Sequence, residues 1–152
     1  MRQSSSTPAA TTSKKEKRTG YERFEGPESR LPEVIVDFEC NRDLLYIVIA
    51  NVGSSSAHKI SIEFDKEIVD FRGKRLSQLD IFHHLEFLAP GKKITLFVDN
   101  LSGYIKRKQP LRVGFSVTYF DRNNRGLCDH IGHNLAVFKD IVMPEVSPVY
   151  PL

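Results

Sequence analysis

Cys128, His130 and His133 are the residues of this chain whose types and spacing come nearest to chemistry. A thiolate and two imidazoles can hold zinc, and a thiol beside an imidazole can become a nucleophile. The spacing argues against both. On a strand, residues two apart share a face and residues three apart do not. Cys128 and His130 would then stand together while His133 points away. No third group to orient the histidine is evident, and a strand position seldom offers a cleft. His83 and His84 are adjacent and diverge in any regular structure, and no metal-site signature is present. Asp65, Glu67 and Asp70 are expected to cluster on a solvated edge. There is no glycine-rich phosphate loop. The expectation is a chain with no catalytic residue, no metal and no cofactor.

Charge narrows the partners. Arg2, Lys14, Lys15, Lys17 and Arg18 against Glu16 give the first 20 residues a net +4, which leaves −1 for the rest of a chain of formal charge +3. A domain that binds nucleic acid normally carries its positive field on the folded surface, so no nucleic acid is expected. Lys106-Arg107-Lys108 reads as a solubilising loop tip, since no aromatic is interleaved for stacking on bases. The first 20 residues hold no apolar run of the secretory type, and no stretch reaches a membrane span. The expected location is the cytoplasm. Two cysteines, Cys40 and Cys128, are too few for a disulfide framework. They read as two reduced, half-buried thiols, with a single bridge left open by the spacing.

The elements that must position these residues are strands. Residues 1–31 are polar and basic and are expected to be a disordered arm, with Tyr21 and Phe24 as local docking residues. Residues 143–152 repeat proline and read as an extended tail. Between them, residues 32–142 show period two. Ile60, Ile62 and Phe64 share a face, as do Ile94, Leu96 and Val98, and Val113, Phe115, Val117 and Tyr119. Val34-Ile35-Val36 and Leu44–Ala50 are apolar on both faces. A last strand is expected within Leu127–Val142, with Leu135 and Val137 on one face.

Turn chemistry separates these runs. Asn41-Arg42-Asp43 closes a short hairpin, Pro90-Gly91 suits a type II turn, and Asp121 to Gly126 closes the last hairpin. Leu76, Leu79, Phe82 and Leu85 fall at helical spacing within Arg75–Leu88, which predicts a short helix or turn crossing between sheets. About seven strands with one short helical crossover is the pattern of an all-β, immunoglobulin-like antiparallel two-sheet sandwich.

Asn51-Val52-Gly53-Ser54-Ser55-Ser56-Ala57 resembles the "N-x-G-x-x-x-A" corner of CARDB-like, bacterial adhesion-related immunoglobulin-like domains. Leu88-Ala89-Pro90-Gly91 resembles their "L-x-P-G" turn. Tyr119-Phe120-Asp121 with Gly126 resembles their "Y-x-D-x-x-G" hairpin, with a loop two residues longer. The resemblance spans roughly residues 33–140 and implies adhesion, scaffolding or partner binding, with no catalytic residue to carry across. In physical terms, Asn51 can bond its own backbone two residues on, Gly53 supplies a conformation that a β-carbon would penalise, and Ala57 lets the returning chain pack closely.

Surplus apolar residues point to an interface. Leu45, Ile47 and Ile49 turned inward leave Tyr46, Val48 and Ala50 outward, joined by Ile35, on a face that an open sandwich keeps polar. That stripe is either a contact for a protein partner or a weak homodimer, or it is covered by the crossover or by an arm through Tyr21, Phe24 or Val149. The expected function is a non-catalytic interaction or scaffolding module. A glycan-type ligand-binding module is the alternative, and a small metal or thiol enzyme the remote one.

Overall fold

The computed structural model describes residues 30–141. Residues 1–29 of the expected arm, and the expected tail, with Tyr21, Phe24 and Val149, lie outside the described residues; Leu31, placed in the arm by the sequence, is instead tied to the domain, its carbonyl accepting from the Ser54 N–H at 2.9 Å. Among the described residues, seven strands form two antiparallel sheets. One sheet contains β1 (Val34–Asn41), β2 (Leu44–Asn51) and β5 (Lys93–Asn100), in the order β1-β2-β5. The other contains β3 (Ala57–Phe64), β4 (Leu85–Leu88), β6 (Arg112–Phe120) and β7 (Gly126–Asn134), in the order β4-β3-β6-β7. The chain is an all-β two-sheet sandwich.

The core sits where the alternation puts it. Val34, Val36, Phe38, Leu45, Ile47 and Ile49 from the three-stranded sheet meet Ile60, Ile62, Val113, Phe115, Val117 and Tyr119 from the other. Phe115 is edge-on to Phe64 at 4.9 Å, and Phe64 to Phe82 at 4.9 Å. Side-chain hydrogen bonds of His133 and Tyr119 help tie the β1 side to β7. His133 Nε2 donates to Val36 O at 2.8 Å, and the Tyr119 hydroxyl donates to Asp129 Oδ2 at 3.1 Å while accepting from the Val34 N–H.

Three expectations need correction. Arg75–Leu88 holds short helical turns, two single-turn 3₁₀ helices, Leu76–Gln78 and Asp80–Phe82, followed by β4, but it does not cross between sheets: it joins β3 to β4 within one. Leu76, Phe82 and Leu88 all reach the core, so the spacing reflects three short pieces aimed at one target. The helical crossover lies later, as α1 (Leu101–Lys106) between β5 and β6. Asn100 caps it by accepting from the Gly103 N–H at 2.7 Å, and Leu101 and Tyr104 are buried. The last strand ends at Asn134. Leu135–Asp140 is 3₁₀, with Leu135 buried and Val137 exposed.

The turns are wired by a few side chains. Arg42 and Asp43 both take left-handed φ, as a two-residue hairpin of the primed type requires. Gly91 has φ +81°, and the Lys92 N–H donates to Ala89 O at 3.0 Å, the type II turn expected of Pro90-Gly91. Asn51 is buried and uses its whole amide. Its Oδ1 accepts from Gly53 N–H at 3.0 Å and Glu33 N–H at 3.1 Å, and its Nδ2 donates to Ser55 O at 2.8 Å and Leu88 O at 3.0 Å. Ala57, fully buried, opens β3 opposite Leu88.

Gly53 is required for a different reason from the one expected. Its φ is not left-handed. A β-carbon there would lie 2.5 Å from Glu33 N and 2.6 Å from Pro32 C, inside the backbone that leads into β1. Gly126 is likewise not the strained turn residue: it opens β7 opposite Phe120, and Asn124 carries the left-handed φ of 62°.

Candidate functional site

The outer face of the four-stranded sheet carries the polar side chains singled out by type. Register lines them up in rows across β3, β6 and β7. Glu63, Ser116 and His130 form one row, Ser61, Thr118 and Cys128 the next, and Gly114 faces Gly132 in a third. The two glycines leave that third row without side chains. Asp65 closes its end, accepting from the Gly114 N–H at 2.8 Å and donating its own N–H to Gly114 O at 2.9 Å. The result is a shallow groove of two hollows, about 330 Å³ and about 210 Å³, which share Asp65 and Gly114. Arg112, Lys66 and Asn134 border the larger and Glu63, Ser116 and His130 the smaller.

Cys128 and His130 share this face, as their spacing requires. His133 points into the sandwich, edge-on to Phe38 at 5.1 Å. Among the described residues no three of His, Cys, Asp and Glu stand together as a metal cage. Ser116 Oγ lies 3.2 Å from the nearer ring nitrogen of His130. The acid of that row, Glu63, stands on the serine side and leaves the ring without a carboxylate to orient it. That is the reverse of the order a hydroxyl nucleophile needs. His83 bonds Ser77 O and His84 sits 3.5 Å from Asp80, both on the surface. Cys40 and Cys128 are free thiols. Burial, reinforced by Asp43, raises the Cys40 thiol above its ordinary range, whereas Cys128 is exposed rather than half-buried.

The acidic cluster is a second correction. Asp65 is bound to β6, Glu67 accepts from the Ser77 hydroxyl at 2.5 Å, and Asp70 is buried. Asp70 Oδ1 accepts from the Arg72 and Lys74 N–H groups, both at 2.9 Å, and its Oδ2 pairs with the Arg72 guanidinium at 2.6 Å. Burial works against ionisation of Asp70, but these donors outweigh it and hold the carboxyl below its usual range. The basic tip is also partly structural. Arg107 forks onto Asp99 Oδ2 at 2.6 and 3.1 Å and donates to Val69 O at 3.0 Å.

The apolar stripe is corrected as well. Ile35, Tyr46, Val48 and Ala50 lie on the side of the three-stranded sheet away from the core, but Val48 is only 3% exposed and Ala50 only 8%. Val48 sits on the central strand between Asp37 and Thr95. Diagonal to it, Glu39 and Lys93 close a 3.0 Å ion pair across β2. Long charged side chains cover apolar surface with their stems, so the stripe is roofed by its own neighbours. Ile35 and Tyr46 remain half-buried, and Tyr46 stacks edge-on with Phe97 at 5.6 Å, which leads to the exposed Phe71.

The feature that residue types did not flag is an edge. β7 pairs along all nine residues with β6, and no strand among the described residues lies on its other side. The remaining edges are blunted. β4 has four residues, and β5 receives the Phe71 N–H at Val98 O at 2.9 Å. β1 receives His133 at Val36 O. Natural edge strands are protected by lysine, proline, bulges or short length. β7 has none of these, and its one charge, Asp129, is engaged by Tyr119. Burial, opposed by the Val34 N–H and reinforced by Asp129, pushes the Tyr119 hydroxyl up to about 12. The available signal was nine residues, Gly126–Asn134, without Lys, Arg or Pro.

No helix among the described residues is long and apolar enough to cross a membrane. Neither the curated proteins nor the solved structures contain a match to the chain. A family model, described as a domain of unknown function (DUF8453), matches residues 6–137. The chain belongs to the DUF8453 family.

Proposed function

We propose that this protein is a non-catalytic interaction module, and that β7 is the strand on which it receives a protein partner. The observation that carries this reading is the unguarded nine-residue edge of β7. An extended segment added to such an edge takes its affinity from main-chain hydrogen bonds and its specificity from alternate side chains. The strand order, three plus four with crossings from β2 to β3, from β4 to β5 and from β5 to β6, supports an immunoglobulin-like reading. The Asn51 corner, the Pro90-Gly91 turn and the Asp121 hairpin support kinship with CARDB-like domains, whose adhesive and scaffolding roles agree with an interaction module. A second reading, binding of a small polar ligand, is favoured by the glycine-floored groove beside the same strand.

Cys128 provides the test. It is exposed on β7, while Cys40 is half-buried and its thiol harder to ionise, so a maleimide photo-crosslinker attaches to Cys128. In extract of the native host, irradiation is expected to give one adduct. Its cross-linked peptide should map to an extended segment of the partner, and the adduct should vanish in Ile131→Lys. The same adducts from a label carried at Phe71→Cys in a Cys128→Ser background, beside the β5 edge of the other sheet, would overturn the reading.

A further inference from the structure

We propose that the strand received by β7 is the β7 of a second copy of this chain, the two four-stranded sheets joining across a two-fold axis into one of eight strands. This rests on the reading of β7 as the contact strand. The sequence of the strand carries the choice of partner. His130 is its centre. An antiparallel two-fold there pairs Gly126 with Asn134, Leu127 with His133, Cys128 with Gly132, Asp129 with Ile131, and His130 with its symmetry mate. Every pair joins residues of the same face, so the outer and inner faces of both sheets continue across the axis.

Charge and size agree with that register. The strand has one charge, and this register sets Asp129 opposite an isoleucine, whereas an axis at Asp129 would oppose two carboxylates. Gly132 stands opposite Cys128 and leaves space beside the paired His130 rings. On the inner face, half-buried Ile131 faces Asp129 of the second copy and half-buried Leu127 faces its His133, so pairing covers part of the surface these two apolar side chains still expose. Isologous pairing of this kind closes on itself and leaves no free β7 edge to propagate. The contact is one strand wide, below the area of a standard stable interface, so the dimer is reversible.

Gly132→Cys tests partner and register together. An added β-carbon at Gly132 meets nothing within 4 Å, so the fold accepts it. In the proposed register each copy's Cys128 faces the introduced thiol, at the cross-strand spacing a disulfide can bridge. Mild oxidation of the full chain is expected to give a covalent dimer with Gly132→Cys, and none with the parent or with Gly132→Cys combined with Cys128→Ser. Sedimentation of the parent is expected to show a dimer fraction that rises with concentration. Ile131→Lys should weaken it by about tenfold or more, by placing a gatekeeping charge on the edge, with an unchanged circular dichroism spectrum.

A Gly132→Cys protein that stays monomeric on oxidation, or that cross-links equally without Cys128, overturns the proposal. So does a parent that remains monomeric at all concentrations. If that happens while the Cys128 photo-adduct with another protein persists, self-pairing falls and the interaction reading stands. If the adduct is also absent, both fall. Should Ile131→Lys fail to fold, the oxidation result decides alone.

Discussion

Asn51 and Asp121 are both buried polar side chains at the ends of strands, and each organises a turn through its own hydrogen bonds. They differ in reach. Asn51 holds Glu33, Gly53, Ser55 and Leu88, so one amide joins the lead into β1, the β2–β3 corner and the end of β4. Asp121 holds only Asn123 and Arg125, through Oδ1 at 2.8 and 2.9 Å and through the Arg125 guanidinium at 2.9 Å. Asp70 repeats the Asp121 wiring almost bond for bond, with the left-handed residue three positions on in both, Gly73 and Asn124. The local loop is a reusable part, whereas the Asn51 corner is specific to this sandwich because two of its partners, Glu33 and Leu88, come from distant sequence. Loss of a long-range knot exposes several segments at once. Loss of a local one loosens a tip.

The sharpest way to break the corner is Gly53→Ala. The added carbon enters the backbone at Pro32 and Glu33, and the expected loss is about 3 kcal/mol or more, the upper end for overpacking. Urea melts measure it, and an unchanged midpoint would remove the close approach from the account. Asn51→Ala comes next. It strands the Glu33 and Gly53 donors and the Leu88 acceptor. The expected cost is about 2–3 kcal/mol, with amide exchange rising together at Glu33, Val52 and Lys92. Asp121→Ala should do less. Exchange is expected to rise at Asn123 and Arg125 and stay level at Glu33, and a global loss equal to that of Asn51→Ala would erase the contrast.

Acid should separate the two kinds of turn without mutation. The Arg125 and Asn123 N–H groups and the Arg125 guanidinium, led by the Arg125 N–H, hold the Asp121 carboxyl below its ordinary range against the opposing effect of burial. A carboxyl lowered in this way contributes stability that is present above its ordinary range and lost as pH falls through the lowered value. Asp121 and Asp70 share that sign, and the Asn51 amide does not titrate. Acid is therefore expected to weaken the Asp loops first, visible as chemical-shift changes at Asn123 and Lys74 before any at Gly53. The smallest effect at neutral pH is that of Tyr119. With its hydroxyl raised to about 12, its contribution is intact below the ordinary tyrosine range of about 10 and is lost as pH climbs through 12. Tyr119→Phe should flatten that alkaline limb of the melt.

Much of this fold is legible in the sequence, because alternation reports which face of a strand is buried. The inward sets of β2, β3 and β6 follow from it directly. Alternation does not report what covers the other face. Val48 and Ala50 therefore read as an exposed stripe, although the Glu39–Lys93 pair roofs the first of them. Short elements mislead for another reason. Leu76, Phe82 and Leu88 imitate one helix because three separate pieces share a target, and α1 is hidden by Ser102 and Gly103 in its six residues. The pairing of Cys128 with His130 on one face was legible from spacing. The rows that set them beside Thr118 and Ser116, and the glycine-floored groove, depend on register between strands far apart in sequence. The open edge of β7 depends on the order of strands in the sheet, which no local pattern encodes.

The alternation of the chain between two sheets also has a consequence for time. It leaves one sheet after β2, returns at β5 and leaves again through α1 to β6. Only the β1–β2 and β6–β7 hairpins can form from near neighbours, whereas β2–β5 and β3–β6 must close long loops before any pairing rewards them. Proteins dominated by such distant pairings fold in roughly milliseconds to seconds. Throughout that interval the β6–β7 hairpin has both of its edges open. The strand best suited to receive a second copy in the finished molecule is then also the one most exposed to wrong pairing while the molecule is being made.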